Sequence, residues 1–288
     1  MTTRTRTVPT AAGYRPRRTL PLRVEALRQL RRRRTFVAFV ILLGLPWVLV
    51  AAFLIGGEPT EGGRRINLVD VATQSALNFG AFCVFVSAGF LLVVAVALFC
   101  GDTVASEANW ASLRYLLAAP VPRSRLLWQK LVVALAFAAA AILVLPLMGL
   151  VAGTVAFGWG DLVVPGTGIT IPAFEALGRL GIVILYTMIS SLVVAALAFL
   201  LSVATDSPLG AVGGAVGLVI VSNILDAVTA LGDWREAIPV HWQFAWVDAM
   251  QPEIAWEGML KGGSVSVAYA LVLFAWAFRR FRTKDIVS

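Results

Sequence analysis

The titratable and nucleophilic residues of this chain are few, and their spacing excludes the common catalytic motifs. The chain has one histidine, His241, so an HExxH zinc site cannot form. None of its three lysines follows glycine in the spacing of a phosphate-binding loop. Cys83 and Cys100 lie too far apart on one helix to form a disulfide. We therefore expect no catalytic residue, no metal and no bound nucleotide in this chain itself.

One polar segment has a helical pattern that suits contact with a partner. Ser106 can cap a helix, and Glu107 in the first turn suits the positive end of the helix dipole. Trp110, Leu113 and Leu117 then recur on one face until two prolines end the helix. Such a helix is too short to cross a bilayer. The pattern favours the membrane surface or a protein groove as its target.

A second segment, residues 232–261, is rich in tryptophan. Trp242 and Trp246 are spaced as on one helix face, and Trp256 follows after a proline. Neither piece is long enough to span, so we predict a re-entrant helical hairpin or an interfacial helix. As a hairpin, the segment would gate the outer end of a path. The alternative is ordinary anchoring by an aromatic belt.

Two weaker patterns concern a transport path and helix packing. Asn78, Asn223 and Asp226 lie near the ends of apolar runs and are candidates to line a path. Glycines spaced by four residues permit close approach of helices, either within the chain or against a second copy. These glycines are Gly210, Gly213, Gly214 and Gly217.

Six long apolar runs must position these residues, and each run is free of Asp, Glu, Lys and Arg. The runs cover residues 36–57, 71–101, 131–160, 180–205, 207–225 and 262–278. About 20 apolar residues cross the hydrocarbon core, and about 17 is the lower limit. The composition, 59% hydrophobic and 14% charged, agrees with a membrane protein. The sequence therefore predicts an all-α fold with six transmembrane helices.

The basic residues are distributed unevenly between the two sides of these spans. Six spans put both termini on one side, and that side would hold 19 of the 24 basic residues. The other side would hold eleven of the sixteen acidic residues. This bias predicts cytoplasmic termini for a multi-pass protein of the bacterial plasma membrane. The arginines at 32–34 lie beside a span, so we interpret them as lipid-headgroup anchors and expect no nucleic acid.

Composition divides the chain into four regions. They are a disordered basic leader (1–19), an amphipathic surface helix (20–35), the six-span domain (36–281) and a cytoplasmic tail (282–288). The surface helix is predicted from a stripe that includes Val24, Leu27 and Leu30. The alternative for this region is a structureless basic leader.

The segment after Ser106 resembles a family signature. Residues 110–123 read Trp-Ala-Ser-Leu-Arg-Tyr-Leu-Leu-Ala-Ala-Pro-Val-Pro-Arg, after Glu107 and before Lys130. This is similar to ABC-2 type exporter permeases, in which Glu, Gly-Thr-Leu, Leu-Leu, Pro-Val-Ser-Arg and a later Lys follow in that order. Ala111 and Ser112 stand where that family usually has Gly and Thr, and Pro122 stands where Ser is common. The basic surface helix, the six spans and the long segment before the last span resemble that family too.

The resemblance implies the membrane subunit of an ATP-driven exporter. In that family the segment is a coupling helix that docks on a separate ATP-binding subunit, which holds the ATP and Mg. Two permeases, identical or homologous, work together, and a helical hairpin between spans five and six caps the path. Carried over to this sequence, the docking residues are Glu107, Trp110, Leu113, Arg114 and Leu117. The alternative is that these residues only pack against the ends of the spans.

Two other classes of protein remain open from the residues alone. A secondary transporter or channel would need no ATPase partner, but proton-coupled transporters usually bury an ionisable residue near the midplane. Here the centre of every apolar run is uncharged. A membrane anchor without a path is the third class. For an exporter, uncharged spans favour an apolar or amphipathic cargo such as a drug or a lipid.

Overall fold

The computed structural model describes residues 22–55, 68–109 and 123–283. The helices are α1 Leu22–Leu30, α2 Arg33–Ile55, α3 Leu68–Ala72, α4 Ala76–Ala88, α5 Leu91–Asn109, α6 Arg123–Phe157, α7 Ala173–Ser190, α8 Leu192–Ala204, α9 Pro208–Ala227 and α10 Trp256–Thr283. Between α9 and α10 lie three 3₁₀ helices, Thr229–Ala237, Pro239–Trp242 and Ala245–Met250, which we call the 3₁₀ segment. Two short strands, β1 Leu162–Val163 and β2 Thr170–Ile171, pair antiparallel between α6 and α7.

Helix starts follow from capping residues in the sequence. The Ser75 hydroxyl accepts a hydrogen bond from the Asn78 backbone N–H (3.3 Å) and caps α4. The Ser207 hydroxyl accepts from the Gly210 N–H (3.1 Å), and Pro208 occupies the first turn of α9. A serine cap satisfies one of the free N–H groups of the first turn, where proline has no N–H to lose.

Within the described residues, five helical stretches are long and apolar enough to cross a membrane. They are Arg33–Ile55, Ser124–Phe157, Ala173–Ala204, Pro208–Ala227 and Trp256–Thr283. Helices α4 and α5 pass the same test together but are bent by 62° where they meet, so they add a sixth span only if the bent pair counts as one. By helix length and composition the chain is an all-α membrane protein.

The helices pack around α5, which contacts α6, α8 and α9. Helices α2 and α4 both lie along α6, and α10 lies along α8. Aromatic rings connect α5 with α2 and α6. Phe99 of α5 lies 5.6 Å from Phe39 of α2 and 5.8 Å from Phe137 of α6, measured between ring centroids. Lys130 and Glu107 are buried about as deeply as Phe99. The core at this end of the bundle therefore contains charge.

Several element boundaries differ from the sequence predictions. The helix expected over 20–35 is confined to α1, because the chain turns at residues 31–32 before α2 begins. The second apolar run is broken between α4 and α5 and not straight. The last helix begins at Trp256, so this residue belongs to the last long helix and not to a separate re-entrant piece. The β1–β2 hairpin was not predicted. The leader 1–19 and residues 284–288 of the tail lie outside the described residues.

Candidate functional site

Seven charged side chains from four helices and one turn meet at one end of the bundle. We call them the charge cluster: Glu25, Arg28, Arg32, Arg34, Asp102, Glu107 and Lys130. Helix α1, the turn after it and the first turn of α2 supply the first four. Helix α5 supplies the two acidic residues near its end, and α6 supplies the lysine. The cluster joins segments that are far apart in the sequence.

Lys130 is the centre of the cluster. Its Nζ lies 2.8 Å from Glu25 Oε1 and 3.2 Å from Glu107 Oε1. The Lys130 side chain is 2% exposed and that of Glu107 is 1% exposed. Charges this deeply buried are tolerated only when they are paired and hydrogen-bonded. The two carboxylates supply that pairing for the ammonium group.

The arginines complete the pairing of the two α5 carboxylates. Arg28 contacts Glu107 with both ends of its guanidinium, Nη1 to Oε1 at 2.8 Å and Nη2 to Oε2 at 3.1 Å. Such two-point contact fits the planar guanidinium fork. Arg32 lies 2.6 Å from Asp102 Oδ2 and donates to the Ser106 hydroxyl at 3.0 Å. Arg34 lies 2.7 Å from the other Asp102 oxygen.

Helix α1 presents its charged face, not its apolar face, to the protein. Glu25, Arg28 and Arg32 recur at helical spacing and contact α5 and α6. The predicted apolar stripe is present, but Val24 and Leu27 are exposed. An interfacial helix has this arrangement when its apolar side lies in lipid. Arg32, which we expected to anchor lipid headgroups, instead points into the cluster.

The structure corrects the predicted position of the first docking residue. Glu107 and Ser106 lie within α5 and do not start a new helix. Because the Glu107 carboxylate is buried and paired, it is not available on a docking surface. The other four docking candidates, Trp110, Leu113, Arg114 and Leu117, lie outside the described residues. Glu107 and Lys130 are instead the paired residues on either side of that segment.

The 3₁₀ segment places the three predicted gate tryptophans differently. Trp246 is 3% exposed and packs against Phe85 of α4, with 6.4 Å between ring centroids. Trp242 is half-buried and donates from Nε1 to the Glu236 carbonyl at 2.8 Å. Trp256 is 50% exposed at the start of α10. Only the first two pack against the helices, and the expected α-helical hairpin is a series of 3₁₀ turns.

Arg179 of α7 fastens the end of the 3₁₀ segment to the bundle. Buried Arg179 donates to the carbonyls of Ala249 (3.2 Å), Gln251 and Pro252 (3.1 Å), and pairs with Glu175 at 2.6 Å. These bonds hold the end of the segment where it leaves its last 3₁₀ turn.

The middle of the segment has its own bonds to the bundle. The Tyr186 hydroxyl, also on α7, donates to the Trp242 carbonyl at 2.6 Å. Gln243 donates to the Ala88 carbonyl at the break between α4 and α5. A side-chain donor there satisfies a backbone acceptor at a point where the regular helix is interrupted.

The candidate path residues have separate hydrogen-bond partners. The Asn78 amide exchanges two hydrogen bonds with the Val163 backbone, 2.8 and 2.9 Å long, and so fastens α4 to β1. Asn223 donates to the Val219 carbonyl of its own helix at 3.0 Å. Asp226 lies 2.7 Å from His241 Nδ1. These contacts fasten local structure, and His241, which had no expected role, connects α9 to the 3₁₀ segment.

The glycines of α9 face in two directions. A side chain at Gly214 would meet Leu201 of α8, whereas no atom among the described residues lies within 4 Å of a side chain built at Gly213 or Gly217. Gly210 lies against the capping serine, Ser207. Helix α9 is buried through Ala211, Ala215 and Val219. Among the described residues, this helix therefore does not use the Gly213/Gly217 pair for packing.

Sequence reasoning missed most of the cluster and the Arg179 contacts. Lys130 is one of three lysines and directly precedes an apolar run, which was the available signal. Arg179 likewise directly precedes a run. A charge at such a position can pair inside the protein or reach the headgroups, and the sequence alone does not distinguish the two.

The fold and the site define an all-α membrane protein with a buried ion cluster at one end. The chain belongs to the DUF2705 family, described as "Protein of unknown function (DUF2705)", whose profile matches residues 70–287. It is also similar to a Bacillus subtilis (strain 168) protein described as "Uncharacterized protein YhcI". The two are 25% identical over 243 residues, which cover 80% of this chain and 72% of the relative. The family match contains Asp102, Glu107 and Lys130 and begins after α2.

Proposed function

We propose that this protein is the membrane subunit of an ABC-2 type ATP-driven exporter in the bacterial plasma membrane, with both termini cytoplasmic. It forms the translocation path, and a separate ATP-binding subunit hydrolyses ATP. A second copy or a homologous permease completes the path. The cargo is an apolar or amphipathic compound such as a drug or a lipid.

The observation that carries this proposal is the pairing of Glu107 with Lys130. In the resembling family these two residue types flank the coupling segment, and here their side chains lie 3.2 Å apart. The pair ties the end of α5 to α6 on either side of residues 110–122. A push on that segment would therefore move both helices together, and α1 with them through Arg28 and Glu25. This is the connection that an energy-transmitting segment requires.

The position of the 3₁₀ segment favours a path that is closed at the end of the bundle away from the charge cluster. It covers the break between α4 and α5, and Arg179, Tyr186 and Gln243 hold it there. An apolar cleft of about 210 Å³ lies beside it, lined on one side by Phe82 and Phe85 and on the other by Trp246. Its mostly apolar walls fit an apolar cargo better than an ion.

The decisive experiment alters the coupling segment without disturbing the cluster. Leu113→Asp places a carboxylate in the proposed docking face, where an unpaired buried charge costs several kcal/mol. We expect the complex with its ATPase to lose ATP-dependent dye transport in reconstituted vesicles, while insertion and yield stay normal. Ser124→Asp is the matched control, because Ser124 is exposed in the first turn of α6, where negative charge is favourable.

Two outcomes would contradict the proposal. One is unchanged transport in a chain that carries both Leu113→Asp and Trp110→Ala, which would remove the segment as the energy input. The other is transport by the purified chain alone, driven by an ion gradient without ATP. That second result would favour the secondary transporter.

A further inference from the structure

A groove of about 350 Å³ runs between α2 and α5 on the outer surface of the bundle. It is lined by Arg33, Arg34, Val37, Ala38, Ile41, Leu42, Leu91, Val94, Ala95 and Leu98. Apart from the two arginines at one end, every lining residue is apolar. Helices α2 and α5, which form its walls, both pack along α6.

The length of the groove matches one leaflet of a bilayer. On α2 it extends over residues 33–42, a rise of about 14 Å. Half of the hydrocarbon core is about 15 Å thick. The α5 wall repeats apolar side chains at Leu91, Val94, Ala95 and Leu98, which is the spacing of one helix face. One extended acyl chain fits these dimensions.

The charged end of the groove is complementary to an anion. Arg34 is already paired with Asp102. Arg33 is exposed and has no ion-pair partner among the described residues, so its charge is free to bind a ligand. The first turn of α2 adds the positive end of a helix dipole at the same place. The exposed apolar face of α1 lies next to this end in the chain and fits the same headgroup level.

We propose that this groove is a binding site for an anionic phospholipid of the leaflet that contacts α1. One acyl chain lies along Val37, Ile41 and Val94, and the phosphate binds the Arg33 guanidinium. This site is independent of any ATPase partner, so it stands or falls separately from the exporter proposal. It differs from general lipid solvation because one headgroup charge is preferred and one groove is occupied.

The test uses phosphatidylglycerol that carries a photoactivatable group on its acyl chain. The full-length protein is reconstituted in phosphatidylcholine vesicles with a trace of this probe and illuminated, and crosslinked peptides are mapped by mass spectrometry. We expect crosslinks to concentrate on α2 residues 37–41 and α5 residues 94–98. Unlabelled phosphatidylglycerol should compete, whereas added phosphatidylcholine should not.

Two pairs of variants test the charge and the groove separately. Arg33→Gln should weaken competition by phosphatidylglycerol about fivefold, as expected for one basic residue near a headgroup. Arg23→Gln removes an exposed arginine of α1 that does not line the groove and should change nothing. Val94→Trp fills the groove and should abolish its crosslinks. Val272→Trp adds the same bulk at an exposed position of α10 and should leave these crosslinks unchanged.

Three results would overturn the proposal, and the first two need only the wild-type protein. Equal competition by phosphatidylcholine would show that no anionic headgroup is recognised. Crosslinks spread evenly over all exposed helices would show ordinary lipid solvation. Absence of crosslinks at the groove, together with disulfides between cysteines placed at Ile41 of two copies, would show that a second copy of the chain covers it.

Discussion

Individual side chains in the charge cluster do not share the pairing equally. Glu107 contacts Arg28, Arg32 and Lys130, so it keeps a counter-charge when any one of them is lost. Glu25 has Lys130 as its ion-pair partner among the described residues. The loss of Lys130 therefore affects Glu25 more than Glu107, because Glu107 keeps the two arginines as counter-charges.

Replacing Lys130 should destabilise the protein strongly. Lys130→Met keeps the volume of the side chain but leaves the Glu25 carboxylate buried without a counter-charge, a change that costs about 3–5 kcal/mol. Unfolding in detergent micelles, followed by circular dichroism, would measure the loss. The control is Lys261→Met, because Lys261 pairs with Glu257 on an exposed helix surface and its loss should leave stability unchanged.

A second substitution should restore part of this stability. Adding Glu25→Gln to Lys130→Met removes the unpaired charge, so the double variant should be more stable than Lys130→Met alone. If the double variant loses as much as the two single variants added together, the Lys130–Glu25 contact does not contribute to folding.

Among the secondary-structure elements, those defined by composition were predictable and those defined by contacts were not. Helices α2, α6 and α9 occupy apolar runs that were read directly from the sequence. The 62° bend between α4 and α5 lies at Gly89 and Phe90, inside a run that contains no Asp, Glu, Lys or Arg. Glycine is common in membrane helices and by itself does not predict a bend. The bend depends on neighbours that no local pattern describes.

The α-helical hairpin predicted from the tryptophan spacing is absent from the 3₁₀ segment for a physical reason. Trp242, Trp246 and Ala249 have α-helical spacing, but the chain makes separate 3₁₀ turns with non-helical backbone at Ile238 and Phe244. Contacts with Arg179 and Tyr186 replace the backbone bonds that a continuous helix would have made. Tertiary hydrogen bonds overrode a weak local preference. The inward position of Trp242 and Trp246 was nevertheless predictable from their apolar character.

The charge cluster could not be predicted because its partners are far apart in the chain. Glu25 and Lys130 are separated by 105 residues, and Arg32 and Asp102 by 70. A sequence shows that each charge lies beside an apolar run, but many pairings are compatible with that fact. Only the packing of α1 across α5 and α6 selects one.

The contact of α10 with the 3₁₀ segment depends on one glycine. A side chain at Gly262 would place its Cβ atom in collision with Trp242 and with the Tyr186 hydroxyl. Gly262→Ala should therefore break the Tyr186–Trp242 hydrogen bond and loosen the segment. We expect a cysteine placed at Val240 to react faster with an impermeant thiol reagent in this background.

The neighbouring glycine provides a matched control for that experiment. A Cβ at Gly263 would lie 3.7 Å from Ile189 Cγ2, which is an ordinary contact. Gly263→Ala should leave the rate of labelling at Val240 unchanged. Equal rates in the two alanine variants would mean that Gly262 does not control how the segment docks.

For the whole molecule, the distribution of basic residues predicts the orientation in the membrane. Because six spans would put 19 of the 24 basic residues on the cytoplasmic side, cysteines at Thr60 and Asp233 should label with an impermeant thiol reagent in intact cells. A cysteine at Thr283 should label only after the cells are permeabilised. The reverse labelling pattern would show that the orientation is the opposite of the predicted one. Labelling of the cysteine at position 60 without labelling at position 233 would indicate an odd number of spans between them.

The charge cluster also has a consequence for the order in which the chain is assembled during synthesis. The arginines of the N-terminal region leave the ribosome before Asp102 and Glu107, so these acids meet their counter-charges as soon as α5 is made. Lys130 follows Glu107 by 23 residues, an interval of roughly 1–5 s at ordinary translation rates. The two carboxylates therefore need not wait unpaired in the membrane for α6. The lysine arrives last, between Glu25 and Glu107, whose positions are already set by α1 and α5, and its pairing fixes the position of α6 against α1.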